Sequence, residues 1–204
     1  CDWNPITYGI VENNLNVSNA TARDDELMPI ICDYIREKKP TFLFTHLDSV
    51  DGAGHKYGYG SKEHYQRIHE VDVLVNDAFN AAKDAGILDD TLFMLIADHG
   101  GTPFDGKGAS HGGWSDAEKL VTFAAVGKTV QKCEIENMNI RDHAAIVLYA
   151  LGIDAPEFDE KGWTAQVPEG MFADANLPAY KDISHLTGAA PRVSKVPHTS
   201  ELID

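Results

Sequence analysis

The chain has 204 residues, of which 43% are apolar and 24% are charged, a balance typical of one soluble globular domain. Acidic residues outnumber basic ones 32 to 17. This excess excludes a nucleic-acid-binding surface, which needs clustered Lys and Arg. No apolar run is long enough to predict a membrane span, and no secretory signal peptide is visible. The acidic excess therefore indicates either a solvated surface or carboxylates that hold cations.

The first half of the chain contains helical and strand patterns in turn. After an irregular start, residues 24–37 place apolar side chains at helical spacing. The short apolar run from Thr41 to Leu47, rich in residues that favour strands, then predicts a buried strand. A long amphipathic helix is expected from Ser61 to Ala85, and Ser61 can cap its start and Gly86 its end.

The second half adds strands at Thr91–Ala97 and Leu120–Val126 and a helix from Arg141 to Leu151. Strand, helix and strand at this spacing predict a βαβ unit with a parallel strand pair. The expected fold class is α/β, with a mainly parallel sheet flanked by helices. So few strands suggest that the sheet is incomplete on the N-terminal side. We expect one domain over residues 1–172 and an extended tail over residues 173–204.

Asp and His side chains follow the two strands that are expected to be parallel. The first strand leads into Asp51 and His55, and the second leads into Asp98 and His99. His111 lies in the loop before the third strand. Ligands bind beyond the carboxyl ends of the strands in open α/β sheets, and zinc and manganese both accept Asp and His. The sequence therefore predicts a metal site at this edge of the sheet.

Each of these side chains also has an ordinary structural explanation. A His at a strand end often packs in the core, and an Asp beside it is commonly a cap or turn residue. Convergence favours the metal site, since two Asp-His pairs and a third His lie where the predicted topology brings them together. The Gly-Ala-Gly between Asp51 and His55 is expected to act as a flexible bridge that lets both side chains reach one ion. Asp48 remains an alternative to Asp51, or a group that orients His55 or His111. Among the remaining histidines, His46 is expected to pack inside the first strand, and His64 and His69 are expected to lie on the surface of the long helix. Three others have no assigned role, one at a helix start and two in the tail: His143, His185 and His198.

Three segments surround the candidate ligands: Asp51-Gly-Ala-Gly-His55-Lys-Tyr-Gly58, Ala97-Asp98-His99-Gly100 and His111-Gly-Gly-Trp-Ser-Asp-Ala-Glu118. They resemble the metal-binding motifs of the alkaline phosphatase superfamily, and most closely those of its type I phosphodiesterase/nucleotide pyrophosphatase branch. The later segment from Arg141 to Pro156 is similar to that family's helix and following Leu-Gly-Ile turn. The resemblance covers the chain from Thr41 to Gln166 and corresponds to the C-terminal portion of the family's domain.

The resemblance implies a metallohydrolase domain with two divalent metal ions, usually Zn²⁺, with Mn²⁺ as the alternative. Carried over by motif, Asp51, His55 and His111 would hold one ion. Asp98 and His99 would hold part of the second. In the family, an Asp and a nucleophilic Thr or Ser from the N-terminal half complete the second site. We find no counterpart of these residues here, so no catalytic residue is assigned, and we expect that the natural N-terminus has been removed.

The expected function is metal-dependent hydrolysis of small-molecule phosphate esters, with phosphodiesters and nucleotide pyrophosphates favoured. The chain alone is expected to be inactive without the nucleophile. Two alternatives stay open: a catalytically inactive metal-binding fragment, or a phosphomonoesterase or sulfatase of the same superfamily. Exposed edges of an incomplete sheet favour pairing with a second copy or with the missing N-terminal half. Relatives are often exported, but no signal peptide is visible, so the compartment is not assigned.

Overall fold

The structure is a computed structural model of the chain, and it describes residues 23–103, 109–135 and 138–173. Backbone contacts divide the chain into two compact units, Cys1–Lys128 and Thr129–Asp204. The irregular start and the tail expected from the sequence lie outside the described residues, apart from residue 173. The domain boundary expected after residue 172 therefore stays a prediction. The first unit contains every candidate metal ligand, so its elements determine the geometry of the site.

Three helices form most of the first unit: α1 (Asp24–Lys38), α2 (Ser49–Tyr57) and α3 (Lys62–Asp84). α3 packs against both of the others. The core lies between one face of α1 and the end of α3, and its buried side chains are Leu27, Met28, Ile31, Cys32, Ile35, Ala81 and Ala82. Full burial of a side chain such as Leu27 contributes about 1.5–3 kcal/mol. The apolar spacing that predicts the first helix is thus the spacing that forms this core.

Both ends of α3 agree with the sequence prediction. The Ser61 side chain accepts a hydrogen bond from the His64 N–H, which caps the first turn. Gly86 follows the helix with a φ of 72°, a left-handed conformation that favours glycine. The N–H of Ile87 then bonds the carbonyl of Ala82 at 3.0 Å, in the manner of a Schellman motif. The helix therefore ends where its local sequence directs it to end.

The N-terminus of α2 is capped by a carboxylate from α1. Asp24 is 6% exposed and accepts hydrogen bonds from the backbone N–H groups of Asp48 at 3.1 Å and Ser49 at 3.0 Å. The Ser49 hydroxyl also donates to Asp24. The first N–H groups of a helix have no partner within the helix, and a negative charge there also opposes the helix dipole. Asp24 thus fixes the start of the helix that carries two candidate ligands.

A small sheet follows the helices. Strands β1 (Phe93–Ile96) and β2 (Phe123–Val126) form a two-stranded antiparallel pair, with Phe93 opposite Val126. Both strands agree with the sequence prediction within a few residues at their ends. The helices and this pair make the described fold α/β.

The parallel strand pair expected from the sequence is not confirmed. The segment from Thr41 to Leu47 is not a strand, and Phe42, Leu43 and Phe44 are exposed rather than buried. A run of β-favouring residues becomes a strand only where a neighbouring backbone pairs with its N–H and C=O groups. No described strand pairs with this segment. The sequence pattern reports the hydrophobicity of the segment but not the presence of a partner.

The second unit is organised around helix α5 (Asp142–Ala150), which confirms the helix expected here. A shorter helix, α4 (Asp116–Lys119), precedes it in the first unit. Asp142 is fully buried and accepts hydrogen bonds from the N–H groups of Asn139 at 2.8 Å and Gln166 at 3.0 Å. This carboxylate fastens the start of α5 to a later segment. Among the described residues, no helix is both long and apolar enough to cross a membrane.

Candidate metal centre

Helix α2 brings Asp51 and His55 together. The two residues are four apart, and this spacing places side chains on the same face of a helix. The Nε2 atom of His55 lies 3.3 Å from Oδ2 of Asp51. The segment between them is therefore not the flexible bridge expected from its glycines. A rigid helical turn determines the separation of the two side chains.

His111 completes a cluster of three donors. Its Nε2 atom lies 3.1 Å from Nε2 of His55 and 3.7 Å from Oδ1 of Asp51. Around a tetrahedral zinc ion with bonds of 2.0–2.1 Å, neighbouring ligand atoms lie about 3.3 Å apart. The contact between the two Nε2 atoms, and the contact that each makes with its own oxygen of Asp51, are close to this value. Asp51, His55 and His111 can therefore hold one ion and leave a coordination position open.

Backbone carbonyls orient two of the histidines. Nδ1 of His55 lies 3.2 Å from the carbonyl oxygen of Ala109, and Nδ1 of His99 lies 2.9 Å from that of Gly100. A carbonyl oxygen only accepts hydrogen bonds, so each Nδ1 carries the proton. Nε2 of the neutral ring then keeps its lone pair. Metal-binding histidines are typically fixed in this way.

Asp98 and His99 lie beside the cluster, directly after β1. The His99 ring stacks on the His111 ring, with centroids 3.6 Å apart and planes inclined by 16°. Nε2 of His99 lies 3.9 Å from Oδ1 of Asp51 and 3.5 Å from Oδ2 of Asp98. The Asp98 side chain is 70% exposed. The structure thus brings the candidate ligands from three segments to one place, with three donors clustered and the Asp98–His99 pair at their edge.

Glu118 holds the loop that carries His111. Its carboxylate accepts hydrogen bonds from the N–H groups of Gly113 at 2.7 Å and Ser115 at 3.2 Å, and from the Ser115 hydroxyl. The Ser115 and Gly113 hydrogen bonds lower the pKa of Glu118 below its usual value. Ser115 and Glu118 form the capping box of α4. The Ser-x-x-Glu pattern is a sequence signal for this contact, although the sequence analysis assigned Glu118 no role.

Tyr59 is a further residue of the site, and its role is not predicted by the sequence motifs. Its hydroxyl donates a hydrogen bond to Oδ1 of Asp51. Burial, together with that hydrogen bond, raises the pKa of Tyr59 above its usual value, so the hydroxyl keeps its proton at neutral pH. No local pattern marks this contact, because it depends on the turn between α2 and α3.

The remaining histidines do not join the cluster. The Gly60 N–H donates to Nδ1 of His64 at 3.2 Å, and the His64 ring packs edge-on against Tyr59 rather than lying free on the surface. Burial lowers the pKa of His64. Asp48, the alternative ligand, is exposed at the start of α2 and is not part of the three-donor cluster. Of the others, His46 and His143 are partly buried, His69 is exposed, and two lie outside the described residues, His185 and His198.

Part of the chain is similar in sequence to curated relatives. It is 27% identical over 121 residues to GPI ethanolamine phosphate transferase 2 of Aspergillus oryzae, covering 59% of this chain and 14% of that protein. Ectonucleotide pyrophosphatase/phosphodiesterase family member 1 of Mus musculus is 27% identical over 95 residues, covering 45% of this chain and 10% of the relative. GPI ethanolamine phosphate transferase 1 of Chaetomium globosum is 34% identical over 79 residues, covering 39% of this chain and 8% of that protein. The chain thus spans less than a sixth of these relatives. No solved structure matches it.

The family comparison covers the site and part of the second unit. The model of the type I phosphodiesterase / nucleotide pyrophosphatase family matches residues 7–169, well over half of the chain. This range contains each of the segments that carry the clustered Asp and His side chains. The chain therefore belongs to the type I phosphodiesterase/nucleotide pyrophosphatase family.

Proposed function

We propose that this chain supplies the metal centre of an enzyme that hydrolyses phosphate esters. The observation that carries the proposal is the convergence of Asp51, His55 and His111 at the spacing of a zinc tetrahedron, in a member of a phosphodiesterase family. Small phosphodiesters and nucleotide pyrophosphates are the proposed substrates. The chemistry that a divalent cation supplies at such a centre is stabilisation of negative charge on a phosphoryl oxygen.

We propose two ions, with Zn²⁺ favoured over Mn²⁺. The three clustered donors would hold the first, and Asp98 and His99 would contribute to the second. His55 and His99 support this assignment, because their Nδ1 protons are held by carbonyls and their Nε2 atoms lie at the cluster. The proposal assigns no nucleophile to this chain. We further propose an alkaline-phosphatase-like fold with a mainly parallel sheet. Pairing of the chain with a further segment or with a second copy also stays a prediction.

Metal binding is the first test. Zinc affinity of the full chain, measured by competition with a chelating dye at neutral pH, should fall in His55→Ala and His111→Ala by more than the roughly 10–100-fold seen when only an outer partner of a ligand is lost. His69→Ala is the matched control, because His69 is exposed on α3. Failure of the unaltered chain to bind zinc would overturn the proposal. Equal weakening in the control would overturn the assignment of ligands.

Ester hydrolysis is the second test. Bis-p-nitrophenyl phosphate, p-nitrophenyl phosphate and p-nitrophenyl sulfate are each incubated with the chain and zinc or manganese. Turnover that disappears in His55→Ala and His111→Ala would refute the inactive-fragment alternative. Preference for the diester supports the phosphodiesterase assignment, whereas preference for the monoester or the sulfate supports the other branches of the superfamily. Binding of zinc without turnover leaves the inactive alternative in place.

Transfer to an alcohol is a second candidate function. Several of the similar proteins are named GPI ethanolamine phosphate transferases, and their names favour transfer of a phosphate ester group rather than hydrolysis. Both reactions cleave a phosphodiester, so the same metal centre serves either. Phosphorus NMR of the products of phosphodiester cleavage, formed with and without a simple alcohol such as glycerol, distinguishes transfer from hydrolysis. A new phosphodiester of the added alcohol indicates transfer, and a monoester alone indicates hydrolysis.

A further inference from the structure

A tight turn between α2 and α3 presents Tyr59. The Ser61 N–H bonds the Gly58 carbonyl at 3.1 Å and closes a four-residue β-turn, with Tyr59 and Gly60 at its centre. Gly60 has a φ of 78°, the value that the third position of a type II turn requires, and Gly58 has a φ of 96°. Both glycines thus adopt left-handed conformations that favour glycine. They hold Tyr59 in a defined place between the two helices.

The Tyr59 ring occupies space that two other glycines leave open. A Cβ atom at Gly54 in α2 would lie 2.4 Å from a ring atom, and one at Gly101 in the segment after β1 would also lie 2.4 Å from the ring. Such approaches are closer than any real side chain allows. The ring also meets the edges or faces of the His55 and His111 rings, with centroids 5.8 Å and 6.5 Å away. Tyr59 is therefore packed against the elements that carry the metal donors.

The Tyr59 hydroxyl acts on the carboxylate at the centre of the cluster. It donates to Oδ1 of Asp51, the oxygen nearest to His111, while Oδ2 faces His55. A carboxylate oxygen has two lone pairs, so one that accepts this bond can still coordinate a cation with the other. The bond restricts rotation of the carboxylate. This restriction keeps both Asp51 oxygens facing the Nε2 atoms of His55 and His111.

We propose that Tyr59 is a positioning residue of the metal centre, which sets zinc affinity and coordination geometry by orienting the Asp51 carboxylate. The inference rests on the proposed metal site. Outer partners that orient a ligand typically change metal affinity by about 10–100-fold. A residue that only packs would act through its ring, and the hydroxyl would then be dispensable.

The test compares two substitutions that remove only a hydroxyl group. Tyr59→Phe should weaken zinc binding by about 10–100-fold in the chelator competition. Tyr57→Phe is the matched control, since Tyr57 lies two residues earlier and is 45% exposed; its affinity should change less than about twofold. The visible spectrum of bound Co²⁺ gives a second readout, because its band positions and intensities report coordination geometry. Tyr59→Phe should alter this spectrum, and Tyr57→Phe should leave it unchanged.

Three outcomes separate the inference from the proposed function. Circular dichroism without metal establishes whether each variant is folded. Gly101→Ala, whose added Cβ displaces the Tyr59 ring, is a second variant that is expected to weaken zinc binding. If Tyr59→Phe has the zinc affinity and the cobalt spectrum of the unaltered chain, the role of Tyr59 is wrong, while the proposed function is unaffected. If Tyr59→Phe does not fold, undiminished zinc affinity in Gly101→Ala would overturn it. Failure of the unaltered chain to bind zinc would overturn the proposed function itself.

Discussion

Substitution of Asp24 tests how α1 supports the candidate site. Asp24→Ala removes the carboxylate that accepts hydrogen bonds from two backbone N–H groups and one hydroxyl at the start of α2. Asp24 is nearly buried, and its donors would be left without their acceptor. The change should therefore lower the free energy of unfolding. Because α2 carries Asp51 and His55, it should also weaken zinc binding.

The magnitude follows from the bonds that are lost. Loss of a helix cap costs about 0.5–2 kcal/mol, and each hydrogen bond to a charged group contributes about 1.5–3 kcal/mol. Water can reach the exposed Asp48 after the change, which reduces the total. We expect a loss of about 2–4 kcal/mol, consistent with these per-bond values. In a chain of this size that lowers the melting temperature by about 5–15 °C.

Asp25→Ala is the matched control for this prediction. Asp25 is the next residue in the first turn of α1, but its side chain is 65% exposed and pairs only with Arg23 in the described ion pairs. Loss of a first-turn acid and an exposed ion pair costs at most about 1 kcal/mol. Urea unfolding followed by circular dichroism measures both variants. If Asp24→Ala is no more destabilising than Asp25→Ala, the capping role of Asp24 is wrong.

Two further predictions concern the glycines of α2 and the loop that carries His111. Gly52→Ala should stabilise the chain by about 0.5–1 kcal/mol, because alanine favours helices and nothing lies within 4 Å of the added Cβ. Gly54→Ala should destabilise it, because its Cβ would lie 2.4 Å from the Tyr59 ring, and equal effects in urea unfolding would contradict this packing. Because the pKa of Glu118 is lowered in the folded chain, its carboxylate stabilises the fold fully at neutral pH. This stabilisation is lost as the pH falls through the pKa of Glu118 in the folded state. The difference in melting temperature between the unaltered chain and Glu118→Gln should shrink below the usual glutamate pKa of 4.5, and a difference independent of pH would contradict it.

The sequence predicts three helical patterns accurately, those of α1, α3 and α5. The limits of α3 depend on Ser61 and Gly86, each of which acts within a few residues of its own position. α2 was missed because its glycines indicate a flexible loop and its cap comes from Asp24, which lies 25 residues before Ser49. A window along the sequence cannot detect a cap supplied from another helix.

The strand expected from Thr41 to Leu47 illustrates a second limit. Its apolar, strand-favouring composition predicts a strand, but pairing depends on a neighbouring backbone that the local sequence does not specify. β1 and β2 are strands because each pairs with the other in register. Hydrophobic pattern therefore predicted which segments favour strands, and pairing decided which of them formed one.

The candidate ligands could be predicted from the sequence by itself, because the Asp-x-x-x-His, Asp-His and His-Gly-Gly patterns carry the chemistry in their residue types. Only the tertiary structure decided how those residues meet. It shows Asp51, His55 and His111 as a cluster, with Asp98 and His99 beside it. It also adds the groups that hold them, since a hydrogen bond such as that from Tyr59 to Asp51 depends on the path of the chain between two helices.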